Sequence, residues 1–197
     1  VDNSTFASAS VSASVSIGQS KGAECQGCKL RVTYSDPNNK TVGDSHCACN
    51  NGACAVGSIV LQNAQLYSPE SPSQYSAVLS LLDSTGAALD VVTVRFGVLH
   101  LVTAGPQFKL NGQHLYLFGY GDDSIYPESM APPANRSFYA HRLSIARKLG
   151  FTFVRHHTNV PPIEYFDAAC EAGMMVSAEI PLWAGGAETV CPGTGCD

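Results

Sequence analysis

The sequence has 197 residues, of which 45% are hydrophobic and 14% are charged, and its formal net charge is −5. This composition is typical of a globular protein, and it excludes nucleic-acid binding through a basic patch because Lys and Arg are few and scattered. No run of about 18 apolar residues occurs, so we predict no membrane-spanning helix.

The N-terminal half predicts short antiparallel strands. Residues 7–17 alternate between apolar side chains and serine, which is the period of a half-buried strand. Further strands are predicted at residues 30–34, 58–62, 75–82 and 89–96, with a turn at residues 83–86. Short strands separated by turns, without a helical period, are typical of a β-sandwich. We expect this sandwich to end near Val102, with a joint at residues 103–106.

Cysteine is the most unusual component, with eight residues in the chain. Five of them lie in residues 25–54, around a segment from Ser35 to Gly57 that is rich in Asn, Gly and Asp. A segment of this length and composition predicts a loop insertion stapled by its own cysteines. Dense cysteine in such loops favours disulfides and an extracellular protein. The disulfide candidates are Cys25, Cys28, Cys47, Cys49, Cys54, Cys191 and Cys196.

The cysteines of this segment have a second interpretation. A zinc site is the alternative to disulfides, because thiol and imidazole ligands have suitable spacing at Cys25, Cys28, His46, Cys47 and Cys49. The sequence does not decide the pairing of the cysteines, and we predict no cofactor.

Sequons for N-glycosylation begin at Asn3, Asn39 and Asn135, which adds to the prediction of a secreted glycoprotein.

The pattern changes in the stretch from Phe108 to Trp183. Asn111-Gly112 between alternating triplets predicts a type I′ hairpin, and the apolar run of residues 115–119 predicts a strand buried on both faces. A long loop at residues 120–134 precedes a helix capped by Asn135, whose predicted buried face comprises Tyr139, Leu143, Ala146 and Leu149.

A second strand is predicted at residues 151–155, and a second helix begins at Pro161-Pro162. The predicted buried stripe of this helix comprises Ile163, Phe166, Ala169 and Cys170. A third strand follows at residues 174–179. Strands that alternate with helices imply parallel βαβ units, which carry their chemistry at the carboxyl ends of the strands.

Several motifs occur in a defined order along residues 58–183: Leu66-Tyr-Ser-Pro69-Glu70 with Pro72 and Tyr75, the Phe108 hairpin, Lys148-Leu-Gly-Phe-Thr-Phe-Val-Arg155, and Tyr165-Phe-Asp167 through Glu179. This ordered set resembles glycoside hydrolase family 2, the group of β-galactosidases, β-glucuronidases and β-mannosidases. The resemblance implies an immunoglobulin-like β-sandwich in residues 1–104, with a Cys-rich insertion at about residues 22–57. It also implies the first β/α units of an incomplete (β/α)₈ TIM barrel in residues 105–197.

The resemblance further implies hydrolysis of O-glycosidic bonds of a β-linked sugar by a retaining, two-carboxylate mechanism. In this family the two carboxylates come from the fourth and seventh barrel strands, which would follow Asp197, so we expect this fragment to be inactive alone. Its expected partners are a carbohydrate substrate and the remainder of the same polypeptide or a larger assembly. The alternative is a non-catalytic extracellular scaffold or carbohydrate-binding glycoprotein with a degenerate glycosidase fold, suggested by the departures from the family pattern at residues 156–160.

The candidate substrate-binding residues follow the predicted strands. Arg155 can donate hydrogen bonds to a carboxylate or a sugar hydroxyl, and the resemblance implies a place near the nucleophile; the alternative is a structural pair with Glu179. Asp122 and Asp123 can bind sugar hydroxyls or can be solvated loop acids. Glu179 ends the third strand, and the resemblance implies a supporting rather than a catalytic role for it in the site. Three further candidates have both a binding and a packing interpretation: His156, His157 and Trp183. Successive strand residues point to opposite sides, so we expect at most one of the two histidines to face the strand ends.

Overall fold

The computed structural model describes residues 6–18, 27–49 and 53–181. The chain divides into two units, the first comprising Val1–Ser68 with Ser73–Leu115 and the second comprising Pro69–Pro72 with Tyr116–Asp197. The first unit extends past residue 104, the predicted boundary, because the hairpin around Asn111 is part of it. Neither helix in the described part of the chain has the length and apolar character needed to cross a membrane.

Six strands of the first unit form two antiparallel sheets that share one core. The strands are β1 (Ser8–Ser16), β2 (Lys29–Ser35), β3 (Thr41–Ala48), β4 (Ala53–Gln62), β5 (Tyr75–Leu82) and β6 (Ala88–Phe96). β1 pairs with β4, and the other sheet has the order β3-β2-β5-β6. Leu30, Val32 and Tyr34 of β2 pack against Cys54 and Val56 of β4, so the two sheets face each other as in a sandwich.

The sequence predicts several of these strands correctly. β1 and β2 alternate as expected, with Ala9 of β1 and Leu30, Val32 and Tyr34 of β2 buried. The turn between β5 and β6 is formed by Asp83, whose carboxylate accepts hydrogen bonds from the backbone N–H groups of Thr85 and Ala87. A short polar side chain that bonds the backbone two residues on favours a turn over a continued strand.

The predicted loop from Ser35 to Gly57 is wrong where the structure describes it. β3 lies inside the predicted loop and pairs with β2 along its length, and β4 begins at Ala53. The polar, Gly-containing sequence of β3 does not resemble a strand by propensity. Pairing with β2 overrides that propensity, with Asp44 of β3 accepting a hydrogen bond from Arg31 of β2 at 2.8 Å.

Three short strands complete the first unit: β7 (Leu101–Ala104), β8 (Gln107–Leu110) and β9 (Gln113–Leu115). The type I′ hairpin is confirmed, because Asn111 and Gly112 both have positive φ, at 51° and 79°. The predicted joint at residues 103–106 is wrong. Thr103 and Ala104 belong to β7, and the following Gly-Pro forms the turn into β8.

The second unit contains β10 (Gly119–Asp122), α1 (Arg136–Lys148), β11 (Phe153–His156), α2 (Ile163–Ala172) and β12 (Met175–Ala178). The strands are parallel in the order β10-β11-β12, so the predicted βαβ alternation is confirmed. β10 and β12 form the edges of this sheet within the described residues. Residues 115–119 are not one buried strand, because β9 ends at Leu115 and both Tyr116 and Phe118 are exposed.

The first helix matches its prediction almost throughout. The Asn135 side chain accepts hydrogen bonds from the backbone N–H groups of Ser137 and Phe138 and so caps the helix. Tyr139, Leu143 and Ala146 are buried. The fourth residue of the predicted buried face, Leu149, is exposed because it follows the last helical turn.

The second helix begins after Pro162 as predicted but buries a different face. Its buried residues are Tyr165, Ala168 and Ala169, whereas Ile163 and Cys170 of the predicted stripe are exposed. Apolar residues occur on two stripes of this helix, and packing of Tyr165 against Tyr139 of α1 selects one of them. Gly173 ends the helix with φ of 69°, and a Cβ there would lie 2.3 Å from the Pro69 carbonyl oxygen.

Candidate functional site

The carboxyl ends of the three parallel strands meet at one edge of the sheet. Asp122, the last residue of β10, pairs in register with His156 of β11, which in turn pairs with Ala178 of β12. The residues that follow these positions therefore lie near one another, and Glu179 is one of them. In open sheets of parallel strands this edge is the usual place for a ligand site.

One group of side chains at this edge is charged and partly exposed. We call Arg155, His157, Thr158 and Glu179 the Arg155–Glu179 cluster. Arg155 Nε donates to Glu179 Oε1 at 2.5 Å, and the backbone N–H of Thr158 donates to Glu179 Oε2 at 3.0 Å. His157 Nδ1 lies 3.2 Å from the same oxygen. The N–H of Thr158, followed by the side chains of Arg155 and His157, holds the pKa of Glu179 below its ordinary value.

Arg155 therefore forms the ion pair with Glu179 that its structural interpretation predicted. This pair uses Nε and leaves the guanidinium half-exposed, with 52% of the side chain accessible. Arginine has five N–H donors, so pairing with Glu179 through Nε does not use up its capacity to bind a second group. Substrate binding by Arg155 therefore stays a prediction that the geometry allows.

The two adjacent histidines lie in different environments. His156 is fully buried and packs edge to face with Tyr165, with ring centroids 4.5 Å apart. Burial lowers its pKa, against an opposing effect of the Asp122 carboxylate. His156 is therefore held neutral and does not reach the surface that carries Arg155. His157 is exposed and belongs to the Arg155–Glu179 cluster.

A second group of polar side chains lies on the buried side of the same edge. Asp122 is only 10% exposed, and its Oδ1 accepts a hydrogen bond from the backbone N–H of Ser124 at 2.8 Å. Ser124 Oγ lies 3.3 Å from His156 Nδ1 and accepts a hydrogen bond from Asn159 Nδ2 at 2.6 Å. Asp123 is exposed. We call Asp122, Ser124, His156 and Asn159 the Ser124 network.

Ser124 and Asn159 are not among the predicted site residues. The sequence carries one signal for the first, because Asp122-x-Ser124 has the spacing of an Asx-turn, in which a carboxylate bonds a backbone N–H two residues on. Nothing in the sequence signals Asn159, whose partner lies 35 residues away along the chain.

Ser124 and His156 do not form a nucleophile–base pair. A serine nucleophile needs an accessible hydroxyl, and its histidine needs a third group that orients the far ring nitrogen. His156 is fully buried, and its Nε2 has no hydrogen-bond partner among the described residues. The contact therefore has a structural role.

Three of the described cysteines of the first unit are disulfide-bonded. Cys47 of β3 and Cys54 of β4 are disulfide-bonded to each other, and Cys28 is disulfide-bonded as well. Two members of the proposed zinc set, Cys28 and Cys47, are thereby removed as thiolate ligands. Over the described ranges, no group of three or more His, Cys, Asp or Glu residues is placed to hold a metal ion. Cys49 is a free thiol whose pKa burial raises.

Several predicted residues lie outside the described part of the chain: Cys25, Cys191, Cys196, Trp183 and Asn3. The other two sequon asparagines are exposed, Asn39 in the turn between β2 and β3 and Asn135 at the start of α1. Glycosylation at both positions stays a prediction.

Comparison with known proteins shows which family the first half of this chain resembles. Residues 1–98 match the family model of glycosyl hydrolases family 2. A β-glucuronidase of Paenibacillus borealis is 30% identical over 70 residues, which is 36% of this chain and 12% of that protein. The chain therefore spans a small part of this relative.

Solved structures with the same fold cover more of the chain. A β-glucuronidase of Parabacteroides merdae has 19% sequence identity and a TM-score of 0.76, over 89% of this chain and 22% of that one. The Bacteroides uniformis β-glucuronidase 3 has 23% identity and a TM-score of 0.74, over 91% of this chain and 22% of that one. At these identities the likeness shows the fold. The match of residues 1–98 to glycosyl hydrolases family 2 confirms the predicted resemblance over that part of the chain.

Proposed function

We propose that the chain is part of a glycoside hydrolase that acts on O-glycosidic bonds of a β-linked sugar. The observation that carries the proposal is the Arg155–Glu179 cluster, which places a half-exposed guanidinium at the carboxyl edge of three parallel strands. The match of residues 1–98 to glycosyl hydrolases family 2 supports it, and so do the similar proteins, which are named β-glucuronidases.

We propose that the first unit is an immunoglobulin-like sandwich and that the second unit is the beginning of a (β/α)₈ barrel. The support for the barrel is the run of three adjacent parallel strands with a helix between each pair. A complete barrel takes about 250 residues, so residues 105–197 would contribute only its first strands. β10 and β12 would then pair with strands that lie elsewhere in the longer polypeptide.

The proposed mechanism is retaining hydrolysis by two carboxyl groups about 5–5.5 Å apart. Glu179 does not suit the general-acid role, which needs a raised pKa. Glu179 is held ionised by the Thr158 N–H and by Arg155, and Asp122 is largely buried with its carboxylate bonded to the Ser124 N–H. Both are better suited to support, so the proposed catalytic pair lies outside the described residues.

In this proposal Arg155 binds the substrate or the nucleophile through the donors that Glu179 does not use. A fixed cation near an ionised nucleophile lowers the pKa of that nucleophile and keeps it reactive. Glu179 holds the guanidinium in one orientation, since its two oxygens are fixed from different sides by Arg155 and Thr158. His157, which contacts both Arg155 and Glu179, is the second candidate for contact with sugar.

The test is hydrolysis by the protein encoded by the full reading frame, with aryl β-glucuronides, β-galactosides and β-mannosides as substrates. The glucuronide is included because one similar structure is a Bifidobacterium dentium β-glucuronidase complexed with coumarin-3-O-glucuronide. We expect hydrolysis of at least one substrate and a loss of about 100-fold or more in kcat/KM for Arg155→Gln, the size of losing one charge-assisted contact in the transition state.

The matched control is Arg136→Gln, which removes an exposed ion pair with Glu171 elsewhere in the same unit and should leave kcat/KM unchanged. Absence of hydrolysis of all three glycosides by the folded protein would overturn the proposal. It would favour the alternative, a non-catalytic extracellular scaffold or carbohydrate-binding protein. The observation that favours this alternative is the burial of His156, which removes one predicted substrate-binding residue from the surface at the strand ends.

We also propose that the protein is secreted and glycosylated. Support comes from the disulfide between Cys47 and Cys54 and from the exposure of Asn39 and Asn135. Production in a eukaryotic secretory host followed by enzymatic deglycosylation should lower the mass of the protein. The double substitution Asn39→Gln with Asn135→Gln should remove that change, apart from any contribution of Asn3.

A further inference from the structure

The turn that follows β11 holds the backbone of Thr158 in an unusual conformation. Thr158 has φ of 48°, in the left-handed region, where a β-branched residue is an outlier. Such conformations are unfavourable for a residue with a Cβ and persist only where surrounding contacts fix them. The N–H of this residue is the one that donates to Glu179 Oε2.

The contacts that surround this turn come from the end of β10. The backbone N–H of His157 donates to the Asp122 carbonyl oxygen at 3.0 Å, immediately before Thr158. Immediately after it, Asn159 Nδ2 donates to Ser124 Oγ at 2.6 Å. Thr158 is therefore held on both sides by residues of the neighbouring strand end.

Ser124 is itself fixed in place. Its backbone N–H is bonded to the Asp122 carboxylate, and its φ of 57° is also in the left-handed region. Its Oγ also lies 3.3 Å from Nδ1 of the buried His156 ring. The fully buried ring gives Ser124 an anchor in the core.

We infer that Ser124 and Asn159 are positioning residues, which hold the Thr158 N–H on Glu179 and so fix the orientation of Arg155. They act through the turn and through Glu179, and they do not contact the guanidinium themselves. The inference rests on the proposed function only for its consequence in catalysis. The positioning of the Thr158 N–H on Glu179 by Ser124 and Asn159 is inferred from the hydrogen bonds alone and does not depend on the proposed activity.

The test is hydrogen–deuterium exchange of the full-length protein, read at the Thr158 amide. Asn159→Ala removes the donor to Ser124, and we expect the Thr158 amide to exchange about five- to tenfold faster, the effect of weakening about one hydrogen bond. Ser124→Ala removes the same bond from its other end and should give the same increase. It serves as the second variant if Asn159→Ala does not fold. The matched control is Ser144→Ala, which removes a hydroxyl bonded to the His141 carbonyl on α1.

A general loss of structure would speed exchange in α1 and β11 to the same degree as at Thr158, and that outcome would overturn the inference. Unchanged exchange at Thr158 in both variants would overturn it too. The catalytic consequence is tested separately. If the protein hydrolyses a glycoside, Asn159→Ala should lower kcat more than it raises KM, whereas Ser144→Ala should change neither. Because exchange does not depend on turnover, an inactive protein would overturn the proposed function without deciding the positioning role.

Discussion

The two faces of β11 are built in different ways, although they belong to neighbouring residues of one strand. Val154 and His156 are completely buried among the aromatic side chains of the second unit. Arg155, between them, is half-exposed and bonded to Glu179. Burial on the first face favours the neutral form of His156, whereas on the second face the charge of Arg155 is paired with that of Glu179. Apolar burial holds the first face, and a few directional hydrogen bonds hold the second.

This difference predicts that the two faces respond differently to substitution. Removing a buried apolar group loses its transfer free energy and leaves a cavity. Removing one member of an exposed ion pair costs little stability, because water screens the charges. Stability should therefore depend on the buried face, and any binding function on the open face.

Leu143→Ala tests the buried face directly. Leu143 is 1% exposed in the core formed by α1, α2 and β11, so we expect a loss of about 2–5 kcal/mol in the free energy of unfolding. Ile145→Ala on the same helix is the control, since Ile145 is 46% exposed and should cost less than half as much. Chemical denaturation measures both. Equal losses would contradict the assignment of the buried face.

Gly173→Ala tests the close approach at the end of α2. An alanine there would adopt a left-handed conformation, at a cost of about 1–2 kcal/mol, and its Cβ would also collide with the Pro69 backbone. We expect a total loss of about 2–3 kcal/mol. Gly150→Ala is the control, because Gly150 also has positive φ but a Cβ would meet only the Phe118 ring at 3.9 Å. If the free energy of unfolding falls by the same amount in both variants, the close approach to Pro69 does not contribute to the cost of Gly173→Ala.

His156 predicts how stability depends on pH. Burial lowers its pKa in the folded state below the value of about 6.5 expected for the unfolded chain. The unfolded state therefore binds more protons, so this contribution to stability is complete above pH 6.5 or so and declines as the pH falls towards the folded-state pKa. We expect His156→Phe to reduce the fall in Tm between pH 7 and pH 5. Ser144→Ala, which removes a non-titratable hydroxyl from α1, should leave that fall unchanged.

Glu179→Gln tests the open face and should have the smallest effect on stability. The pair with Arg155 is partly exposed, so water screens it and we expect only a small loss of stability at pH 7. The pKa of Glu179 is lowered in the folded state, so the stabilisation exists above the unfolded value and is lost as the pH falls through the folded value. The difference between wild type and variant should therefore vanish in acid. Asp44→Asn, which breaks a comparable pair with Arg31, should behave in the same way.

Much of the fold follows from local sequence signals. Asn135 caps its helix because a side-chain oxygen can reach the first free N–H groups. Asn111 and Gly112 form their turn because these two residue types tolerate positive φ. Each signal acts within a few residues, so the surrounding fold cannot easily override it. Signals that depend on a distant partner are weaker, as the strand β3 inside the predicted loop demonstrates.

The candidate site shows the same division. The sequence places Arg155 and Glu179 at strand ends and leaves their pairing as an alternative, and the ion pair at 2.5 Å realises it. It does not indicate the bond between Asn159 and Ser124, because 35 residues separate them and only the register of parallel strands brings them together.

Sequence patterns are sufficient for the order of strands and helices in the second unit, the cap of α1, the hairpin at Asn111 and the family. Local sterics and periodicity account for the first three of these. Only tertiary packing selects which stripe of α2 is buried and which of the two adjacent histidines enters the core. A period of two or of 3.6 separates the faces of an element, but it does not say which face will meet a partner. That choice depends on packing, and at β11 it separates a neutral histidine in the core from a paired arginine at the surface.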